Sequence, residues 1–422
     1  KNSTRPASRV LRLSQLLARS VHDQHGRLVG HLSDLVVRQH GDQPPSLAGL
    51  LAPRSGSDLF CDSAHMEWPT SDAGPWVVHA DGLAPFARRS GEWLLAHDLL
   101  DHQVIDLGAV TTARVNDILL AEQSGEWRLV AVDLATSALI RRALPNRLRR
   151  EGDKRHILPW EGFEVLASDM SGGWARPEHS RLKRLHPADI ARITDLLPTP
   201  QVLELIESLP DKVAADALEE MDEHLRGVVF GELTPERAAG ILDLMAPNAA
   251  ADVLADLPAP LARRILQDLP SGRAADIHAL LTYAKDTAGG LMTTAYVIAP
   301  RSLPIREAAE FLRSQLDRPD WVYYVYVVED LSERKLVGVF TLRDLLLADQ
   351  DGTVEDIMST ELRTAEPTTP AKKVAQRMSE YNLMALPITD TGGRLLGIVA
   401  VDDALSVILP NELRRRVPRV FG

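Results

Sequence analysis

The sequence predicts a multidomain protein in which small β-barrels are followed by a superhelical array of short α-helices and then by a pair of small α/β domains. Three observations predict this succession. Residues 10–165 repeat a pattern of short alternating strands, residues 185–281 repeat every twelve residues, and two similar strand–helix units come after them. With 422 residues, of which 45% are hydrophobic and 25% charged, the chain can bury several globular cores.

The overall composition excludes several classes of protein. A net charge of -12 argues against nucleic acid as a general partner and is compatible with cation binding. The single cysteine, Cys61, excludes an internal disulfide framework and indicates a reducing compartment. The longest apolar run, residues 321–328, is far shorter than the ~20 residues that span a bilayer, and no signal peptide is recognisable. We therefore expect a cytoplasmic protein without a transmembrane segment.

The strand-rich region carries an internal duplication. Seven residues of its first half recur in its second half at a constant offset of 83, from Val21 and Val104 to Val37 and Leu120. Each half also has a later Trp-Pro or Pro-Trp pair. Short alternating strands bounded by Gly and Asp turns predict one barrel at residues 1–94 and another at 95–170, followed by a linker at 171–184.

The first half reads V-x-D-x-x-G-x-L-V-G-x-L-x-D-L-V-V, which resembles the PRC-barrel family. That resemblance implies a docking or adaptor module without common catalytic residues. Four histidines in this half, His22, His25, His31 and His40, allow a metal-site interpretation. No cysteine or acidic partner lies at a recognised ligand spacing, so solvated turn histidines are the favoured interpretation.

The middle of the chain has a leucine or methionine at every twelfth position. These anchors are Leu185, Leu197, Leu209, Met221, Leu233, Met245, Leu257, Leu269 and Leu281. Prolines after most anchors are typical of a first helical turn, so each unit is predicted to be one short helix and one tight turn. Helices of about eight residues are unstable alone, so we expect them to stack, at residues 185–285, around a shared core. Alanine pairs recur in one register, and Asp216, Gly240, Asp252 and Asp276 follow them, which predicts a recurring carboxylate edge.

The two units after Met292 resemble a pair of CBS domains, at residues 286–350 and 351–410. In that family the motif G-x-x-[ST]-x-x-D contacts the ribose and phosphates of an adenine nucleotide. The first unit has the motif as Gly338, Thr341 and Asp344, whereas the second has Ala400 where the hydroxyl belongs. The resemblance therefore implies a site for ATP or AMP in the first unit. Its residues would be Tyr324, Gly338, Thr341, Arg343 and Asp344.

The order of the motifs LHPADIARI, AGGLMTTAYV, YYVYVVED, GVFTLRDLLLAD and GIVAVDDAL is similar to the cytosolic half of the MgtE magnesium transporter family. The resemblance implies a dimeric Mg²⁺ sensor with ions held between acidic faces. The residues at acidic positions of that family are Asp216, Asn248, Asp252, Asp349, Asp356 and Asp403. Mg²⁺ prefers oxygen ligands, and Asn248 and Asp252 are four residues apart and so share a helical face. The alternative is that these are ordinary solvated or N-terminal charges of short helices.

Three departures from that family weaken the expectation of ion-driven gating. Asn248 removes one charge from a family pair, residues 370–373 replace an acidic stretch with a basic one, and no membrane pore follows. The predicted basic tail, residues 411–422, contains Arg414, Arg415, Arg416 and Arg419. It is interpreted as a solvated terminus, with contact to anionic lipid or an acidic partner as the alternative.

Two functions remain open. The first is a Mg²⁺-sensing regulator without a pore, docked by its barrels to a partner such as a membrane metal-ion transporter, at the inner face of the cell membrane. The alternative is an adenine-nucleotide-sensing CBS adaptor with a structural helical domain. Known catalytic motifs are missing from the sequence, so we do not expect an enzyme. We expect a homodimer through the CBS pair, with Val374, Met378, Tyr381 and Leu383 as candidates for its apolar face.

Overall fold

The computed structural model describes residues 10–54, 57–69, 74–136, 156–165, 181–315 and 322–408. The chain divides into two compact units, one formed by Lys1–Leu185 and Arg192–Pro210 and the other by His186–Ala191 and Asp211–Gly422. The predicted basic tail with its four arginines, and most of the predicted linker, lie outside the described residues. None of the helices in these ranges combines the length and the hydropathy that a membrane span requires.

The first unit is built mainly of short strands. They are β1 (Val10–Arg12), β2 (Ser20–Asp23), β3 (Leu28–His31), β4 (Asp34–Arg38), β5 (Ser46–Arg54), β6 (Ser57–Asp62), β7 (Met66–Glu67), β8 (Trp76–Val78), β9 (Leu83–Pro85), β10 (Glu92–Leu94), β11 (Gln103–Asp106), β12 (Thr111–Arg114), β13 (Asp117–Gln123), β14 (Glu126–Asp133), β15 (Ile157–Pro159) and β16 (Phe163–Val165). A short helix, α1 (Leu13–Leu16), follows β1, and a π-helical turn, Leu95–Leu99, follows β10. The predicted β-rich class of this region is confirmed.

The strands repeat with the offset that the sequence predicts. The strands β2, β3 and β4 begin at residues 20, 28 and 34, and β11, β12 and β13 begin 83 residues later, at 103, 111 and 117. Each copy has a small sheet of its own, in the order β3-β2-β8-β7 for the first and β12-β11-β16 for the second. The internal duplication is therefore a structural one.

The two copies exchange their leading strands. A larger sheet runs in the order β1-β13-β14-β5-β4-β10, so that β1 pairs with β13 of the second copy. The strand β10, which stands before β11 as β1 stands before β2, pairs with β4 of the first copy. A single hydrophobic core contains buried side chains of both copies, such as Leu35 and Ile118. The two copies are thus interlocked within one unit.

Two matching carboxylates hold the exchanged segments. Asp117 is fully buried and accepts hydrogen bonds from the Ser14 amide (3.1 Å) and the Ser14 hydroxyl (2.7 Å) in α1. Asp34, 83 residues earlier, accepts from the amides of Ala96 (2.7 Å) and His97 (2.9 Å) in the π-helical turn. Each carboxylate satisfies backbone donors that follow the strand received from the other copy.

Asp34 should make the stability of the first unit depend on pH. Burial raises its pKa to about 6 from 3.8, against the opposing effect of its backbone donors. As the pH rises from about 4 to 6, the unfolded chain releases this proton first, so the free energy of unfolding falls across that window, by roughly 2 to 3 kcal/mol. Urea unfolding between pH 4 and pH 7 measures this. The Asp34→Asn variant has no proton to lose and should show a flatter dependence; equal slopes in the two proteins would contradict the assignment.

Tryptophans also join the copies, at the Trp-Pro and Pro-Trp pairs that mark each repeat in the sequence. The ring of Trp68 stacks on Trp127 of the second copy, with centroids 3.9 Å apart. In the opposite direction, the indole N–H of Trp160 donates to the carbonyl oxygen of Asp42, 3.1 Å away in the first copy. Large aromatic surfaces are thus buried at the boundary between the repeats, where they contribute most to its stability.

The chain after residue 185 forms the predicted run of short helices. They are α2 (Pro187–Thr194), α3 (Thr199–Ser208), α4 (Asp211–Glu220), α5 (Glu223–Glu232), α6 (Pro235–Leu244), α7 (Pro247–Asp256), α8 (Ala259–Asp268) and α9 (Ser271–Leu280). Their starts are twelve residues apart, and an anchor precedes each of α3 to α9 by two residues. These seven anchors, from Leu197 to Leu269, are all buried. The twelve-residue period therefore marks helix starts, as predicted.

Helices α4 to α9 pack with their second neighbours. The helix α6 lies between α4 and α8, and α7 lies between α5 and α9, which gives two interleaved rows. The alanine pairs at 214–215, 238–239 and 250–251 are buried, in agreement with the predicted close approach of helices. In the last pair Ala275 is exposed, because α9 ends the run and no further helix covers it.

Two α/β domains follow. Their elements are α10 (Ala288–Leu291), β17 (Val297–Pro300), α11 (Ile305–Arg313), β18 (Val325–Val328), β19 (Leu336–Phe340), α12 (Leu342–Leu347), α13 (Val354–Ile357), α14 (Ala371–Glu380), β20 (Ala385–Thr389), β21 (Leu395–Ala400) and α15 (Val401–Ile408). In the first domain β17 is parallel and β19 antiparallel to β18; in the second β20 and β21 are antiparallel. Thr293 forms a bridge with Ile398, so the start of one domain reaches the sheet of the other.

Two of the predicted dimer residues belong to the domain core. Val374 and Met378 are 1% and 3% exposed. They lie four residues apart on the face of α14 that packs on β20, so the prediction that they form an exposed face is wrong. Of the other two, Tyr381 is half exposed and Leu383 is partly buried.

Candidate functional site

The candidate cation site lies on one face of α7. Asn248, Asp252 and Asp256 follow one another at intervals of four residues and so line one side of this helix. Glu223, at the start of the neighbouring α5, adds a fourth oxygen-bearing side chain. We call these four residues the α7 acidic face. Sequence reasoning identified only Asn248 and Asp252, although the spacing of Asp256 was readable in the same way.

Asn248 presents an oxygen that needs a partner. The residue is 9% exposed, and its amide nitrogen lies 3.5 Å from the carbonyl oxygen of Leu291 in α10. Its Oδ1 is buried and has no hydrogen-bond partner among the described residues. A buried amide oxygen without a donor costs free energy unless a ligand or water satisfies it.

Lys285 lies against this face. Its Nζ donates to Glu223 Oε1 at 2.9 Å and to Asp256 Oδ1 at 2.8 Å. Burial raises the pKa of Asp252, and Glu223 and Asp256 also raise it, while Lys285 and Arg226 lower it. The carboxylates are therefore close enough to repel one another, and a positive charge already stands among them.

The other predicted metal residues are not brought to this face. Asp216 forms an ion pair with Lys212 within α4, at 3.1 Å. Asp356 caps α13 by accepting from the Thr353 amide at 2.8 Å, a hydrogen bond that lowers its pKa. Asp349 accepts from the backbone amide of residue 351, in the turn that leads to Asp356. Asp403 lies in the first turn of α15, near Tyr323, where its charge adds to the effect of burial in raising the pKa of the phenol.

No metal cage is formed by side chains alone in the described ranges, where no group of three or more His, Cys, Asp or Glu side chains could hold an ion. The four histidines of the first repeat lie in turns and strands. His22 Nδ1, for example, is 3.1 Å from the carbonyl oxygen of Gly26, which is a local turn contact. Any cation at the α7 acidic face would therefore need water among its ligands, as Mg²⁺ sites often have.

The nucleotide motif sits at the start of α12. The Thr341 hydroxyl caps the helix by accepting from the Asp344 amide, 3.2 Å away. Asp344 Oδ2 in turn accepts from the Thr341 amide at 2.8 Å and from its hydroxyl at 2.7 Å. These bonds lower the pKa of Asp344 and make a reciprocal capping box.

The structure also describes the other residues predicted for the nucleotide site. Arg343 is exposed, and Tyr324 lies against Tyr326 with ring centroids 6.5 Å apart. A Cβ added to Gly338 would lie 2.6 Å from Met358 Sδ, and one added to Gly397 in the second domain would lie 2.8 Å from Met292 Sδ. Each glycine therefore packs against a methionine, which gives it a structural role in addition to any role toward a nucleotide.

Comparisons with known proteins identify two domain types in this chain. The MgtE intracellular N domain matches residues 185–286, and the CBS domain matches residues 288–351 and 354–410. Magnesium transporter MgtE of Thermus thermophilus is 40% identical over 134 residues, which are 32% of this chain and 29% of that protein. Magnesium transporter MgtE of Enterococcus faecalis is 40% identical over 138 residues, 33% of this chain and 30% of that protein. The chain thus spans less than a third of these relatives.

A solved structure covers both domain types. The cytosolic domain of the Mg²⁺ channel MgtE, crystallised in complex with ATP, is 33% identical and superposes with a TM-score of 0.52. The likeness covers 54% of this chain and 92% of that domain. The PRC-barrel likeness of residues 1–170 stays a prediction.

Proposed function

This chain belongs to the family in which the MgtE intracellular N domain precedes a pair of CBS domains, and we propose that it is a regulatory protein. The proposed signal is a divalent cation, namely Mg²⁺. The observation that carries the proposal is the α7 acidic face. Its carboxylates repel one another at the point where the helical region meets α10, the first helix of the CBS pair. The matching domains are an intracellular domain and the CBS domain rather than a catalytic one, so we propose no enzymatic activity.

The ion would be held at the α7 acidic face by Asn248, Asp252 and Glu223, directly or through its own waters. The unpartnered Oδ1 of Asn248 and the carboxylate of Asp252 are hard oxygen ligands of the kind Mg²⁺ prefers. Binding would lessen the repulsion among the carboxylates of the face and would tie α7 more firmly to the CBS pair. Asp216, Asp349, Asp356 and Asp403 remain further candidates for weaker sites.

Isothermal titration of the full chain with MgCl₂ tests this function. We expect saturable binding that is weakened at least tenfold in Asp252→Asn, because a carboxylate at the centre of the face is lost. Asp243→Asn is the matched control, since Asp243 is an exposed aspartate on α6. Absence of saturable binding to the parent protein, or equal weakening in both variants, would refute the site.

A second function, sensing of an adenine nucleotide such as ATP or AMP, is favoured by the intact motif in the first CBS domain. Thr341 offers a hydroxyl and Asp344 a carboxylate at the N-terminus of α12, and Arg343 is exposed beside them. Tyr324 and Gly338 complete the proposed pocket. The similar cytosolic domain of the channel was crystallised with ATP, which supports nucleotide binding by this domain type.

The Asp344→Asn variant separates nucleotide recognition from helix capping. An asparagine at this position can still accept from the Thr341 amide through its side-chain oxygen, so we expect the melting temperature to change little. Ribose recognition needs the carboxylate to accept from two hydroxyls. We therefore expect nucleotide affinity to fall about tenfold, which corresponds to roughly 1.4 kcal/mol for the loss of one charged hydrogen bond. Titration with ATP and AMP measures it. Unchanged affinity in the variant would leave Asp344 as a cap only.

We also propose that the chain is a homodimer through its CBS pair, in the cytoplasm or at the inner face of the cell membrane, with a membrane metal-ion transporter as a partner. The exposed apolar residues of α12 and α15 support a dimer face, since Leu346 is 85% and Ile408 56% exposed. Sedimentation at micromolar concentration should give twice the chain mass of 46.4 kDa. A single species of the chain mass would exclude the dimer.

A further inference from the structure

Carboxylates of the recurring register lie beside basic side chains of the same chain. Asp216 pairs with Lys212, as described above, and Asp252 lies within the fields of Lys285 and Arg226. Burial raises the pKa of the Tyr296 phenol, the charge of Asp276 raises it further, and Arg334 and Arg394 lower it. The fourth register position is Gly240 and carries no charge. Within the described residues, nearby cations therefore compensate the charges of Asp216 and Asp252.

Lys285 differs from the other basic partners in its place along the chain. It belongs neither to α5 nor to α7 but to the segment between α9 and α10, which leads from the helical region into the CBS pair. From there its ammonium reaches Glu223 on one helix and Asp256 on the other. The side chain is 47% exposed, so it can leave these partners without opening a core.

We propose that Lys285 is a built-in counter-ion of the α7 acidic face, which holds the connecting segment against the helices in the absence of metal and which a divalent cation must displace. This role rests on the proposed cation sensing, and it makes Lys285 the group within the chain that competes with the cation. Three carboxylates of this region, Glu223, Asp252 and Asp256, face two cationic groups, Lys285 and Arg226, so that one net negative charge remains to attract an ion.

The competition favours the lysine at low ion concentration. An ammonium carried by the same chain as the face has an effective concentration in the millimolar range, whereas a free ion must also lose translational freedom. Removing the ammonium would leave two net negative charges and an unoccupied position between Glu223 and Asp256. The same removal would free the connecting segment, because its ion pairs to both helices would be lost.

The Lys285→Gln variant tests both consequences in the full chain. We expect its affinity for Mg²⁺ to rise three- to tenfold at low ionic strength, because attraction of a divalent ion grows with the net negative charge. In EDTA, amide hydrogen exchange of residues 282–291 should be faster than in the parent, and Mg²⁺ should slow it again. Lys335→Gln is the matched control, since it removes an exposed lysine between β18 and β19, and it should change neither measurement.

Equal or lower Mg²⁺ affinity in Lys285→Gln, together with unchanged exchange of residues 282–291, would overturn the proposal. Two further results distinguish the counter-ion role of Lys285 from the proposed cation sensing. If parent and variant both fail to bind Mg²⁺ while exchange of this segment in EDTA still rises in the variant, the counter-ion role of Lys285 stands and cation sensing is refuted. If both proteins bind Mg²⁺ equally and exchange alike, cation sensing stands and the counter-ion role is refuted.

Discussion

Replacing Asp117 with alanine is expected to destabilise the first unit by about 3 to 5 kcal/mol, the range for loss of one partner from a buried ionic network. Asp117 has no exposure and accepts from the amide and hydroxyl of Ser14 and from the Ile118 amide, at 2.7 to 3.1 Å. The Arg12 guanidinium is 3.7 Å away. Alanine would remove the acceptor of these hydrogen bonds and would release α1, and with it the exchanged strand β1.

Urea unfolding followed by tryptophan fluorescence measures this loss. Five of the seven tryptophans of the chain, at positions 68, 76, 93, 127 and 160, are in the described part of the first unit, so the signal reports mainly on it. Asp106→Ala is the control, because Asp106 accepts from the amides of Gly108 and Ala109 in an exposed turn, where about 1 kcal/mol is expected. Equal losses in the two variants would show that Asp117 does not hold the exchanged strand.

Leu233→Ala is expected to destabilise the helical region by about 2 to 5 kcal/mol, since a buried leucine is lost and the helices around it can collapse only in part. Leu233 is an anchor of the twelve-residue repeat, 5% exposed, between α5 and α6. Because every short helix depends on its neighbours for burial, loss of one anchor should weaken the helices on both sides of it.

The same substitution at Leu244 provides the control within the same run of helices. Leu244 ends α6 and is 42% exposed, so Leu244→Ala should cost less than about 1 kcal/mol. Thermal unfolding followed by circular dichroism at 222 nm compares the two, since most of the described helices lie in this region and in the CBS pair. A cost at Leu244 as large as that at Leu233 would mean that the period does not mark the core.

The features that could be predicted well from the sequence are those that follow from a local periodic pattern. An anchor every twelve residues fixes the helix starts because each short helix must bury one large side chain just before it begins. The offset of 83 predicts matching strands because both copies need the same alternation of buried and exposed residues. Val374 and Met378 show the limit of this reasoning. Their spacing identifies an apolar helix face, but not whether that face meets its own sheet or a second chain.

The exchange of β1 and β10 could not be predicted in the same way. Either copy offers β1 an almost identical partner, and the choice between β4 and β13 depends on how the two copies pack, which no local pattern records. The candidate site could likewise be predicted only in part. Asn248 and Asp252 share a face by spacing alone, whereas Lys285 reaches Asp256 from 29 residues away and becomes visible only in the folded chain.

The strand exchange has a consequence for how the protein is made. Val10 pairs with Ala121, so β1 leaves the ribosome more than a hundred residues before its partner exists. At 5 to 20 residues per second that interval is on the order of ten seconds, during which β1 has an unpaired edge. The copy that emerges first therefore cannot be completed until the second is synthesised, and β1 needs protection from other nascent chains until then.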